Sequence, residues 1–348
     1  ARSSVIRDVA DQQSLSEAGA ACRIGRFEGF IFFGVANSIY EWYSAAPAGR
    51  FPVLVLDFSH AKGIDQKMID LALLDPIFSI LGPEAALYRL TGDRQFLECA
   101  KLFDNTGFFF GNASHDAGLA RNVDTIRGKH ANQHIPQITG ALETFRNTGE
   151  MPYWLIATNF WNIVNNSYMY SIGGVAGAKV PNNAECFTAE PNSLWQNGFA
   201  SGGQNETCAT YNLLKLDRQL FMYDQTSKYM DHYERAMYNH ILASVAEGDA
   251  GNTYHVPLNP GAQKRFGNAD MSGFTCCNGT ALESNTKLQD SIYFRSADNK
   301  ALYVNLFVPS TLNRGERNLV VQPDLSVVLA EHADIVTDRI WGAPDIVV

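Results

Sequence analysis

The sequence predicts a mainly α-helical protein: a toroid or barrel of helical hairpins passing into an antiparallel β-sandwich portion. Three observations lead there. Between residues 83 and 246, apolar residues recur at three- and four-residue spacing in paired runs separated by short polar breaks. After about residue 251 the period changes to short runs rich in Val, Tyr, Phe and Leu, bounded by Asp, Asn, Gly and Pro. No fixed repeat of roughly 20 to 50 residues runs through the chain, which sets solenoids and propellers aside. The expected division is a helical domain over residues 1–290 and a truncated β-sandwich domain over 291–348.

Taken in order, the first 60 residues are the least legible, although Phe51 to Phe58 (FPVLVLDF) has strand composition without an evident partner. Residues 83–103 read as two helices broken at Thr91-Gly92-Asp93, with Leu87 and Leu90, then Phe96, Leu97 and Ala100, at helical spacing. A second pair runs from Ile135 to Arg146 and Pro152 to Val164 across Thr148-Gly149-Glu150. A third runs from Cys208 to Met222 and Tyr229 to Ala246, where Met230, Tyr233, Met237 and Ile241 make one apolar stripe. Strands follow at residues 291–295, 301–308, 318–321 and 325–329.

Composition narrows the function classes. Among 348 residues, 27 Lys and Arg face 36 Asp and Glu, a net charge of −9 that argues against a nucleic-acid binder, which needs a basic footprint. With 46% hydrophobic and 18% charged residues, the chain can build a large core. No membrane span is expected. Glu28, Asn37 and Glu41 interrupt the aromatic stretch at Phe30 to Phe33, and the uncharged run Met151 to Ala178 carries Asn159, Asn162, Asn165 and Asn166. A basic-then-apolar secretory pattern is absent from a chain that opens at Ala1, so the compartment, secreted, periplasmic or cytoplasmic, stays open.

Six cysteines, Cys22, Cys99, Cys186, Cys208, Cys276 and Cys277, are too sparse for a disulfide scaffold, so placement matters more than number. Glu206-Thr207-Cys208 together with Cys276-Cys277 supply a carboxylate and three thiols, donor types that zinc accepts in a tetrahedral site. Residues two apart on a helix point roughly 200° apart. Glu206 and Cys208 can therefore share an ion only from a helix's first turn, where the dipole also favours a thiolate. Neighbouring residues in a strand point to opposite faces, and Gly273 with Asn278-Gly279 is expected to supply the turn that lets Cys276 and Cys277 converge. The blander readings are buried cysteines acting as small apolar residues, or a purely structural zinc site.

The strings NETCATYNLLKL (205–216), DHYERAMYNHILAS (231–244), TYHVPLNPG (253–261) and GFTCCNGT (273–280), with GKHANQHIPQITGA (128–141) and YRLTGD (88–93), resemble the bacterial β-L-arabinofuranosidases of glycoside hydrolase families 127 and 146. That resemblance implies a retaining glycosidase on an (α/α)6 barrel with β-sandwich domains after it. It implies Zn2+ held by Glu206, Cys208, Cys276 and Cys277, with Cys276 as nucleophile. It implies a general acid/base in the string Ala184-Glu185-Cys186-Phe187-Thr188, where Glu185 is the match and Glu190 a rival. It also implies sugar contacts from His130, Glu234 and Tyr254, and an arabinose-containing plant glycan or glycopeptide as substrate. His134, His240 and His255 receive no role, and Trp154, Trp161 and Trp195 are core residues by default or the floor of a sugar site. Family members are longer, and the first 60 to 80 residues here lack their opening barrel helices.

The chemistry is coherent by itself. A retaining glycosidase needs a nucleophile on one face of the anomeric carbon and an acid/base on the other. A free thiol is mostly protonated at neutral pH, whereas a metal-bound one is ionised. The alternatives are a non-catalytic carbohydrate-binding or structural zinc protein of the same descent, and a helical-barrel enzyme using carboxylates alone.

Overall fold

The computed structural model describes residues 22–30, 53–62, 81–177, 185–200, 202–267, 275–298, 300–314, 317–321, 327–330 and 345–347. The chain forms two units, one of residues 1–73 with 272–274, the other of 74–271 with 275–348. In the first, β1 (Cys22–Phe30) pairs in parallel with β2 (Val53–Lys62), with a register shift between Arg26 and Glu28. The strand read at Phe51 to Phe58 is thus present from Val53 on, its first two residues lying outside the described ones, and its partner is a segment whose Gly and charged residues gave no strand signal.

The second unit is built on helical hairpins. Helices α1 (Leu81–Thr91) and α2 (Arg94–Leu102) meet at Gly92, with Asp93 capping α2 by accepting from the Gln95 N–H at 3.1 Å. Helix α3 (Ala131–Thr148) ends on Gly149, whose φ of 71° lets its N–H close back onto the Phe145 carbonyl. Pro152 in the first turn then opens α4 (Met151–Ser167), which buries Tyr153, Ile156, Phe160, Trp161 and Val164. The third hairpin joins α5 (Thr207–Phe221) to α6 (Ser227–Ala236). Helix α5 is buried almost all round, the signature of a central helix, and packs against α3, α6 and α7 (Cys276–Thr286). The stripe Met230, Tyr233, Met237 and Ile241 is buried as expected, but after α6 the chain widens into a π-helical turn at Met237–Ile241.

A short two-stranded ladder leads into α5. Its first strand, β3 (Gln204–Glu206), pairs antiparallel with β4 (His255–Pro257), placing Glu206 opposite His255. Farther on, β5 (Tyr293–Arg295) and β6 (Leu302–Val304) join β10 (Asp345–Val347) in one three-stranded antiparallel sheet. A second holds β7 (Ser310–Arg314), β8 (Arg317–Val321) and β9 (Val327–Ala330). The mainly helical class and the antiparallel strands stand. Among the described residues the longer helices make three hairpins and the separate α7, with short helices at Thr106–Phe109 and Leu194–Gly198; neither a closed (α/α)6 barrel nor a sandwich of the two small sheets is seen. No helix among the described residues is long and apolar enough to cross a membrane.

Candidate active site and metal centre

Two helix starts build the cluster. Glu206 is the N-cap of α5, in extended backbone at the end of β3, and Cys208 is the second residue of that helix. Cys276 and Cys277 are the first two residues of α7. The turn expected around the cysteine pair is not formed: Asn278-Gly279 lies inside α7, and convergence comes from the helical first turn. Thr275 caps the helix in a reciprocal box with Asn278, whose Oδ1 accepts from the Thr275 N–H at 2.7 Å. The Asn278 amide also donates to Asn252 Oδ1 at 2.6 Å, fixing this turn against the segment before β4.

The ligand atoms of Glu206, Cys208, Cys276 and Cys277 all lie within 4.8 Å of one another. Cys208 Sγ is 3.2 Å from Cys277 Sγ and 3.2 Å from Thr280 Oγ1. Glu206, Cys208 and Cys277 are each at most 1% exposed, whereas Cys276 is only half-buried. Burial pushes the Cys208 and Cys277 thiols up. Hydrogen bonds from Cys208 and Cys277 pull the Cys276 thiol well down. Burial, then the charge of Glu206, drives Tyr254 far above the tyrosine range, so its hydroxyl keeps its proton and donates to Cys276 Sγ at 3.4 Å. One carboxylate and three sulfurs, mostly withdrawn from water, form a donor set able to hold a metal ion and compatible with zinc.

Beside this cluster lies an acid-histidine group. Glu185 Oε2 is 3.0 Å from His130 Nε2, and Oε1 is 3.3 Å from His255 Nε2. His130 first and His255 second hold the Glu185 carboxyl well below the usual carboxylate range. A short backbone ladder positions the first contact: the Ala131 N–H donates to the Glu185 carbonyl and the Phe187 N–H to the Lys129 carbonyl, both at 2.9 Å. Glu190, five residues on, faces outward, 72% exposed against 32% for Glu185, and pairs with Arg127 at 3.3 Å. Glu234 is half-buried on α6 and is not one of the groups that converge on the cluster.

Behind Glu206, the buried Asn205 amide donates to the carbonyls of Val175 and Ala176, each at 3.0 Å. A Cβ on Gly174 would collide with Asn205 Oδ1, so that loop tolerates only glycine there. His240, presented by the π-turn, stands 3.3 Å from the Asn205 carbonyl and 2.7 Å from Thr210 Oγ1. A carbonyl only accepts, so Nε2 carries the proton. Burial lowers the imidazole to about 4 and keeps it neutral, so Nδ1 accepts from the Thr210 hydroxyl.

Residue reading missed His255, because a histidine beside a motif has no spacing signal of its own; the strand pairing that sets it opposite Glu206 could not be read locally. Of the tryptophans, Trp161 is core and Trp154 packs between Phe145 and Tyr223. Trp195 lies on the surface, stacked on Phe199 at 4.1 Å.

The fold and the cluster together define a helical protein with a sulfur-rich centre that could hold a metal ion, open at one sulfur. A sequence model described as "Beta-L-arabinofuranosidase, GH127 catalytic domain" matches residues 83–290, more than half the chain, and the chain belongs to that family. Among solved structures it is similar to "The GH127, Beta-arabinofuranosidase, BT3674", at 21% identity and a TM-score of 0.51 over 68% of this chain and 36% of that one. It is similar also to a structure called "Glycoside hydrolase", at 18% identity and a TM-score of 0.55 over 84% and 49%. A third is Ara127N-Se, a GH127 β-L-arabinofuranosidase from Geobacillus stearothermophilus T6, at 21% identity and a TM-score of 0.46 over 67% and 41%. The chain spans less than half the length of each of these three structures. A comparison with curated proteins finds no match.

Proposed function

We propose that this chain carries the chemistry of a zinc-dependent retaining glycoside hydrolase that removes non-reducing terminal β-L-arabinofuranosyl, or closely related furanosyl, residues from arabinose-containing plant glycans or glycopeptides. Family membership supports the reaction class. The observation that carries the mechanism is the unequal burial of the four donors: Glu206, Cys208 and Cys277 are sealed, and Cys276 alone is open enough to meet a sugar.

In this reading Glu206, Cys208, Cys276 and Cys277 hold the zinc. Bound there, zinc keeps the sulfurs ionised at neutral pH and balances their charge. Cys276, at the positive end of α7 and beside the Tyr254 hydroxyl, attacks the anomeric carbon. As the C–S bond forms, the glycosidic C–O bond breaks and the leaving oxygen takes the proton of Glu185, which that carboxyl must first acquire from solvent against the two histidines that favour its ionised form. Glu185 then takes a proton from water, whose oxygen displaces the sulfur and restores the configuration. His130 holds one oxygen of Glu185 and borders the sugar with Tyr254; Glu234 is assigned to a sugar hydroxyl.

The test is a panel of aryl glycosides given to the zinc-loaded chain and to its Cys276→Ser variant. The expected result is chromophore release from the β-L-arabinofuranoside, at least about three orders of magnitude slower in the variant. Full activity in Cys276→Ser would overturn the mechanism. A zinc-bound chain inert to the whole panel would favour a binding or structural zinc protein, and activity surviving zinc removal would favour carboxylates alone.

A further inference from the structure

The dipeptide Tyr254-His255 touches both halves of the site. Tyr254 reaches Cys276 Sγ at 3.4 Å, and His255 reaches Glu185 Oε1 at 3.3 Å. Their rings lie 4.4 Å apart, tilted by 51°. Adjacent residues of a regular strand point to opposite faces, but Tyr254 sits in the bend just before β4, so both side chains turn toward the site. The β3–β4 ladder, in which His255 is paired with Glu206, secures the dipeptide to the metal-binding helix start.

Glu185 is therefore held from two sides. His130 holds Oε2 through the ladder of residues 129–131 with 185–187. His255 holds Oε1 from the ladder that carries Glu206. The His255 contact is the longer of the two and is not aligned as a hydrogen bond, although Nε2 is buried. Oε1 is thus the oxygen more readily shared with an arriving leaving group. In a retaining glycosidase the separation of nucleophile and acid/base across the anomeric carbon must be held near about 5.5 Å.

We propose that His255 is a positioning residue for Glu185: it sets the direction of Oε1 and, through Tyr254, its distance from Cys276. This rests on the glycosidase reading of the same site. The role is specific to proton delivery, so its loss should depend on how much the leaving group needs the proton. A p-nitrophenolate departs almost unaided, whereas an alkoxide or sugar oxygen does not.

The experiment compares kcat/KM, which reports the bond-breaking half of the reaction, for p-nitrophenyl and methyl β-L-arabinofuranosides with the zinc-loaded wild-type chain, His255→Leu and His255→Gln. The expected result for His255→Leu is a loss of about 30- to 100-fold on the methyl glycoside and under about 3-fold on the aryl one. His255→Gln, whose amide can still reach Oε1, is expected to recover most of the methyl glycoside rate. Equal losses on both substrates in a variant that melts with the wild type, or no loss at all, overturn the proposal and leave the glycosidase reading intact. Should His255→Leu fail to fold, His255→Asn, whose amide is too short to reach Oε1, takes its place: unequal losses support the role, and equal losses overturn it. A wild-type chain inert to both substrates overturns reading and proposal together.

Discussion

Two buried polar clusters hold α5 in place, and they are built on opposite principles. Near its middle, Asp217 accepts from Trp161 Nε1 and contacts His232 Nδ1, both at 2.6 Å, while His232 Nε2 meets the Gly173 carbonyl at 2.8 Å. Every member has a complementary partner and none is open to water, so the group ties α4, α5, α6 and the glycine loop together. At its N-terminus, Glu206 and three cysteines gather anionic or weakly polar donors around a common point, with one sulfur left open. A cluster that satisfies itself holds a fold together. One that gathers ligands of a single sign calls for a cation and has an edge on which chemistry can occur.

Removing one member of each cluster separates the two. Cys208→Ala is expected to take bound zinc from about one per chain to near none and to cost activity at least about three orders of magnitude. Metal analysis of the purified protein reads this directly, and zinc retained at full occupancy would contradict the four-donor site. Asp217→Ala is expected to cost about 3–5 kcal/mol of folding stability, because it leaves His232 and Trp161 buried without their acceptor. Denaturant titration measures that loss, and zinc per folded chain should not change.

The smallest effect concerns His240, between the two clusters. Its imidazole titrates near 4 in the fold against 6.5 when free, because burial disfavours the cation. As the pH falls below 6.5 the unfolded chain binds a proton that the folded chain refuses, so stability present at neutral pH is lost on acidification. This group accounts for about 2 kcal/mol between pH 7 and 5. His240→Gln should flatten that part of the stability profile, and an unchanged slope would argue that His240 is not buried neutral against Asn205.

The hairpins were legible because apolar spacing and breaks such as Thr91-Gly92-Asp93 and Thr148-Gly149-Glu150 are local signals. The parallel partner of β2 was not, since Cys22–Phe30 interleaves Arg23, Gly25, Arg26 and Glu28 with its apolar residues. The placing of Glu206 and Cys208 in a helix's first turn was legible too. The same reasoning went astray at Cys276-Cys277, where Asn278-Gly279 has turn composition but Thr275 and Asn278 form a helix cap.

By itself the sequence determined that Glu206 and Cys208 stand at a helix start and that a carboxylate and three sulfurs were available for one ion. Only the tertiary structure decided which neighbours meet them: Glu185 turned inward and Glu190 outward, Cys276 open and Cys277 sealed, His255 set opposite Glu206. Helix starts depend on a few consecutive residues. Contacts such as those between positions 185 and 255, or 208 and 277, depend on how hairpins pack and strands register, and no local pattern carries that information.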